Sequence, residues 1–237
     1  MLAAEPKLKP RLKPKLRLKV LCLHGYTQDA SIFKTMLRNH TTELQPNVDF
    51  VFIDAPNILR PYDIDGIDNM ARTAAAAKLD GLEPRELKGW YSLKNDNPEI
   101  VQGLNESIAF LDTVLDEQGP FDGIFGFSQG GLVSAVLCSL LEFRSPLIRS
   151  SHGPFKFAIL CSAYKLKDSQ WTQVYGRPIR TPSLHVLGVL DGMVSINKSM
   201  ELRDCFVNPE ELYHVGTHFV PKTREVVLAV SKFIGQF

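Results

Sequence analysis

The stretch Phe121-Asp122-Gly123-Ile124-Phe125-Gly126-Phe127-Ser128-Gln129-Gly130-Gly131-Leu132-Val133 decides how the rest of the chain is read. An apolar run ends in Gly-x-Ser-x-Gly, and a helix-forming run from Leu132 to Leu141 follows at once. That is the layout of a nucleophile elbow, a sharp strand-to-helix turn with a serine at its tip. The turn crowds its own backbone against neighbouring elements, so small residues are needed on both sides, and Gly126 and Gly130 supply them. The amide of Gln129 is aimed at the oxygen of a substrate carbonyl, reinforced by the positive end of the helix dipole. A pentapeptide of this kind also arises by chance, so the chain must supply a base, an acid and a second oxyanion donor.

Upstream, Leu16 to Leu23 reads as a first buried strand, with His24-Gly25-Tyr26-Thr27-Gln28 at its carboxyl end. A turn beside the elbow is where the second oxyanion amide must come from, and Tyr26 is the candidate. His24 reads as a packed turn histidine, because this arrangement places its base after the nucleophile. Ser31 is read as the cap of one helix running to about Glu43, and Val48 to Ile53 as the second strand. Asp54 at that strand's end is read as a turn or capping residue.

Residues 57–97 break the regular pattern, with scattered Pro, Asp and Gly, and read as a lid or pocket-forming insertion. Within it, Trp90 and Tyr91 are candidate walls for an apolar acyl group. Pro98 to Gln118 shows helical spacing of Ile100, Leu104, Ile108, Leu111 and Leu115. Strands then alternate with helices to the end of the chain, without hairpin signals, which predicts a mainly parallel sheet.

Two later loops complete the constellation. Leu184 to Leu187 is a strand opening into Gly188-Val189-Leu190-Asp191-Gly192, and Asp191 is the candidate acid that orients a histidine. A short strand through His214 opens into Gly216-Thr217-His218-Phe219-Val220-Pro221. His218 is the candidate base; His214 and His185 sit among apolar strand neighbours and read as packed. Pro221 is read as the start of the last helix. The order Ser128, Asp191, His218 is that of α/β-hydrolases.

Composition sets the outer bounds. The 237 residues, 44% hydrophobic and 22% charged, predict one globular domain over 18–237, preceded by a basic and disordered extension over 1–17. The formal charge of +1 conceals an asymmetry: residues 1–19 hold seven Lys/Arg against Glu5, leaving the remainder at −5. A mildly acidic body gives no reason to expect a nucleic-acid surface. No apolar run approaches a membrane span. Cys22, Cys138, Cys161 and Cys205 show no CxxC spacing and read as buried reduced thiols, which points to the cytoplasm, with the nucleus as alternative. No metal site and no cofactor are expected.

Leu23-His24-Gly25-Tyr26-Thr27-Gln28, Gly126-Phe127-Ser128-Gln129-Gly130-Gly131, Gly188-Val189-Leu190-Asp191 and Gly216-Thr217-His218-Phe219-Val220-Pro221 together resemble the FSH family of serine hydrolases. That family includes the ovarian-cancer-associated homologue and LovG-type thioesterases. The resemblance covers about residues 18–237 and implies a compact three-layer α/β-hydrolase fold with a Ser-Asp-His triad and no metal. It implies cleavage of carboxyl esters with an apolar acyl chain or, as the alternative, of acyl thioesters on CoA or a carrier protein. A non-catalytic binding protein on the same fold is the third reading. Thr217 departs from the family, where glycine is the more frequent neighbour of the histidine; a β-branched residue does not easily take positive φ, which predicts a tighter loop.

Overall fold

The computed structural model describes residues 17–59, 86–94 and 97–237. Six parallel strands form one sheet: β1 (Leu18–Leu23), β2 (Val48–Ile53), β7 (Gly123–Phe127), β8 (Phe157–Cys161), β9 (Ser183–Gly188) and β10 (Glu210–His214). Their spatial order is β10-β9-β8-β7-β1-β2, so β7 lies at the centre. The other four strands among the described residues form two small antiparallel pairs: β3 (Asn57–Ile58) with β4 (Lys88–Gly89), and β5 (Ser92–Lys94) with β6 (Asn97–Gln102).

Strand alternation explains the two cores. Val20, Cys22, Phe125 and Phe127 point to one face, where α1 (Ala30–Met36), α2 (Arg38–Leu44) and α6 (Arg224–Ile234) cover them with Phe33, Leu37, Leu44, Val230 and Phe233. Leu21, Leu23 and Ile124 point to the other, under α3 (Leu104–Gln118), α4 (Gln129–Glu142) and α5 (Ile196–Arg203). The central strand is buried on both faces, as the apolar run in β7 requires. Helix α4 is buried from Gln129 to Leu141, which its nearly unbroken apolar sequence allows.

Several local expectations are corrected. The single helix expected from Ser31 is two, α1 and α2, broken at Leu37. Asp29, not Ser31, is the cap: its carboxylate accepts from the Ile32 amide at 2.8 Å. The helix expected from Pro98 starts at Leu104, because Gly103 takes φ 85° and residues 97–102 pair with β5 instead. The last helix starts at Arg224 after Thr223, not at Pro221. Antiparallel pairs exist where no hairpin was expected: β3, β4 and β5 lie inside the segment read as an insertion, and β6 runs from its last residue into the stretch read as a helix. Most of that segment, residues 60–85 and 95–96, lies outside the described residues, as does the basic extension up to residue 16.

Candidate active site

Ser128 sits between β7 and α4 with φ 52° and ψ −117°, a backbone that side-chain-bearing residues rarely adopt. Its neighbours leave no choice of residue. A Cβ at Gly126 would lie 2.4 Å from the Gly130 carbonyl oxygen, and one at Gly130 would lie 2.2 Å from that of Leu23. The start of α4 is therefore pressed directly on the carboxyl end of β1, and the Ser128 amide donates to the Cys161 carbonyl at 2.9 Å.

The structure brings Ser128, His218 and Asp191 into one hydrogen-bonded row. His218 Nε2 lies 2.9 Å from Ser128 Oγ, and its Nδ1 lies 2.7 Å from Asp191 Oδ2. The second carboxylate oxygen of Asp191 accepts from the amides of Met193 (3.0 Å) and Val194 (2.8 Å), which fixes the carboxyl plane. Burial works to raise the Asp191 carboxyl, but the Val194 amide, His218 and the Met193 amide together hold it below the ordinary carboxylate value. With Asp191 ionised, Nδ1 of His218 carries the proton and Nε2 faces the serine hydroxyl as an acceptor. The His218 ring packs on Phe127 at 4.9 Å between centroids. Thr217 is not among the described residues of positive φ, so its β-branched side chain fits without strain.

The remaining histidines are structural. His24 is fully buried; its Nδ1 bonds to the Gly25 carbonyl at 2.7 Å and its Nε2 accepts from the Ala55 amide at 2.9 Å. Burial lowers its pKa, which matches a neutral ring with one donating and one accepting nitrogen. His185 is buried within β9 and is pushed down to about 3 by burial. His214 is buried in β10 against Phe219. Asp54 accepts from the Ala30 amide and pairs with Lys88, both at 2.7 Å, a turn-holding role.

A cavity of about 340 Å³ opens over Ser128 and His218. Tyr26 and Gln129, the two residues expected to furnish oxyanion amides, both line it, as do Tyr91, Tyr164 and Val194. The turn carrying Tyr26 is anchored on both sides: Gly25 N donates to Gln28 Oε1 at 3.0 Å, and Thr27 N donates to the Lys88 carbonyl at 2.8 Å. Gln129 is the first residue of α4, where helix amides point outward without intrahelical partners.

Trp90 and Tyr91 part company. Tyr91 lines the cavity, with its hydroxyl 2.8 Å from that of Tyr164. Trp90 does not: it is fully buried, its ring beside His24 and its indole N–H donating to the His24 carbonyl at 2.8 Å. Its place is behind the Tyr26 turn rather than on the cavity. Two polar cavity residues, Tyr164 and Lys198, lacked a sequence signal of their own. Tyr164 follows β8 and Lys198 projects from α5; the rule that groups gather beyond strand carboxyl ends points to the first but not to the second.

The side chain of Gln129 ties these pieces together. Its Oε1 accepts from the Trp90 amide and its Nε2 donates to the Tyr91 carbonyl, each at 2.8 Å. The residue next to the serine thus holds the cavity wall opposite. Among the described residues no group of His, Cys, Asp and Glu is clustered to hold a metal ion, and no helix there is long and apolar enough to cross a membrane.

Over the fold, the crystal structure of esterase PE8 superposes with a TM-score of 0.63 at 18% identity, covering 94% of this chain and 93% of its own. Among curated proteins, Esterase OVCA2 of Xenopus tropicalis is 31% identical over 227 residues, covering 93% of both chains. A Schizosaccharomyces pombe protein named dihydrofolate reductase is 30% identical over 218 residues, but this chain spans only 47% of its length. The family model described as Serine hydrolase (FSH1) matches residues 15–230, and the chain belongs to that family of serine hydrolases.

Proposed function

We propose that the chain cleaves carboxyl esters with an apolar acyl group, with Ser128 as nucleophile, His218 as general base and acid, and Asp191 as the group that orients the imidazole. The observation that carries this reading is the unbroken row from Asp191 through His218 to Ser128 at 2.7 and 2.9 Å, opening into one cavity. Ser128 Oγ attacks the ester carbonyl while Nε2 of His218 takes its proton. The developing oxyanion is met by the amides of Gln129 and Tyr26, the former at the positive end of α4. His218 then protonates the departing alcohol and activates the water that releases the acyl group.

A thioester would follow the same steps, and the resemblance to LovG-type enzymes keeps that substrate open. A fluorophosphonate probe should label the wild-type protein and leave Ser128→Ala unlabelled; labelling of the variant at full strength would sink the assignment. Turnover of a p-nitrophenyl ester series beside the matching acyl-CoAs separates ester from thioester preference.

A further inference from the structure

A second cavity of about 240 Å³ lies beside the first and shares Tyr91, Leu93, Tyr164 and Lys198 with it. The hydrogen-bonded phenols of Tyr91 and Tyr164 stand where the two compartments meet. Burial pushes both phenols above the ordinary tyrosine value, so they remain neutral donors and acceptors rather than charges. Beyond them the wall changes character. Val101 and Leu166 line it together with three lysines, Lys165, Lys167 and Lys198.

Most charges there already have partners. Asp168 is buried, its two oxygens accepting from the amides of Val101 and Gln170, each at 2.8 Å. Glu201 faces Lys167 at 3.8 Å, and Lys165 lies over the Tyr175 ring at 5.1 Å. Lys198 differs: among the described residues neither a carboxylate at ion-pairing distance nor an aromatic ring lies against its ammonium. Its backbone is nonetheless well fixed. The next residue, Ser199, donates to the Ala163 carbonyl at 2.7 Å, and Leu202 is fully buried, so α5 presents Lys198 to both compartments from a rigid base.

We infer that the second compartment receives the far end of the acyl chain and that Lys198 selects chains ending in an anionic group, a carboxylate being the simplest. Such a chain would pass the tyrosine pair along apolar surface and meet the Lys198 ammonium at the junction. The inference rests on the ester-cleaving reading above.

Matched esters test it: p-nitrophenyl hexanoate against mono-p-nitrophenyl adipate, and octanoate against suberate, each corrected for spontaneous hydrolysis. For an exposed ammonium the wild-type kcat/KM should favour the carboxylate-tipped member by about threefold to fivefold at low ionic strength. That preference should shrink toward unity in about half-molar salt. Lys198→Gln should bring the ratio to unity, Lys198→Glu should invert it, and Lys198→Arg should keep it. A wild-type preference for the neutral ester, or a ratio that Lys198→Gln leaves unchanged, overturns the inference. Failure to cleave either ester would count against the ester reading alone. In that event, calorimetric binding of monomethyl suberate and methyl octanoate to the Ser128→Ala protein decides the subsite. Tighter binding of the anionic ligand, lost in the additional Lys198→Gln change, supports it; equal binding overturns it.

Discussion

The two sides of the cavity are held in place by different forces. On one side Ser128, Asp191 and His218 project from loops at the carboxyl ends of β7, β9 and β10. Backbone sterics position the serine: φ 52° at Ser128, and contacts at Gly126 and Gly130 too close for any Cβ. On the other side residues 86–94 cross the cavity with two short strand pairings. Two side chains and one backbone amide from elsewhere in sequence hold that wall through its backbone. Gln129 grips residues 90 and 91, Thr27 N donates to the Lys88 carbonyl, and the Asn57 amide lies 3.0–3.1 Å from the carbonyls of Gly89, Trp90 and Gly103 and from the Ser107 hydroxyl. A wall of this kind depends on a few long-range polar bonds, whereas the serine side depends on the sheet itself.

The largest expected effect lies on the sheet side. Asp191→Asn keeps shape and most hydrogen bonding but presents His218 with a neutral amide that no longer holds the productive tautomer. A fall in kcat of about 10³- to 10⁴-fold is expected, with melting temperature little changed. Stopped-flow acylation with a p-nitrophenyl ester measures it. A loss of under tenfold would show that Asp191 serves the loop through the Met193 and Val194 amides and not the histidine.

The same contrast explains what was legible in the sequence. Elbow, acid loop and base loop each carry their own local signature: a glycine pair with nothing between but the serine and its neighbours, a glycine-bounded aspartate, a glycine-bounded histidine. Their positions follow from strand ends, and the model of a parallel sheet places strand ends together. The wall has no such signature. Gln129 is legible in the sequence only through its backbone amide and Asn57 not at all, and their most distant partners lie 39 and 50 positions away in sequence. Trp90 and Tyr91, between β4 and β5, read alike as aromatic wall residues, yet the indole bond to His24 holds the first inward while the second lies on the cavity. The helix expected across Pro98 to Gln118 starts late, at Leu104, for a local reason, the left-handed Gly103, whose missing Cβ also makes room for Asn57 at 2.8 Å.

An intermediate effect is expected from Gln129→Leu, which keeps the volume and the backbone amide but removes both grips on residues 90 and 91. The Trp90 amide and the Tyr91 carbonyl lose their partners, and the wall can move by a fraction of an ångström to an ångström. A loss in kcat of about tenfold to a hundredfold is expected, with fluorophosphonate labelling of Ser128 slowed but not abolished. If kcat stays at the wild-type value while only the melting temperature falls, the grip is structural and the two sides are less coupled than the hydrogen bonds suggest.

The smallest effects concern pH and compare two buried histidines. Both His24 and His40 have pKa values lowered by burial, His40 to about 4. As pH falls, the unfolded chain takes up these protons first, so the stability from each neutral ring is complete above about 6.5 and drains away below it. The rings differ in what neutrality protects. His40 packs on Phe125 and neither ring nitrogen has a partner among the described residues, so His40→Leu should flatten the decline in melting temperature between neutral and acid pH while leaving kcat at neutral pH intact. His24 accepts the Ala55 amide and its carbonyl takes the Trp90 indole bond, at the root of the Tyr26 turn. Protonation there breaks the Ala55 bond beside the Tyr26 turn, so His24→Gln should flatten the same slope and also lower kcat at neutral pH. His185 and His214 are lowered in the same direction, so neither variant should abolish the acid slope. Melting curves and kcat measured on both variants across the same pH range test the pair, and a His24→Gln protein with wild-type kcat would detach the Tyr26 turn from the chemistry it is assigned.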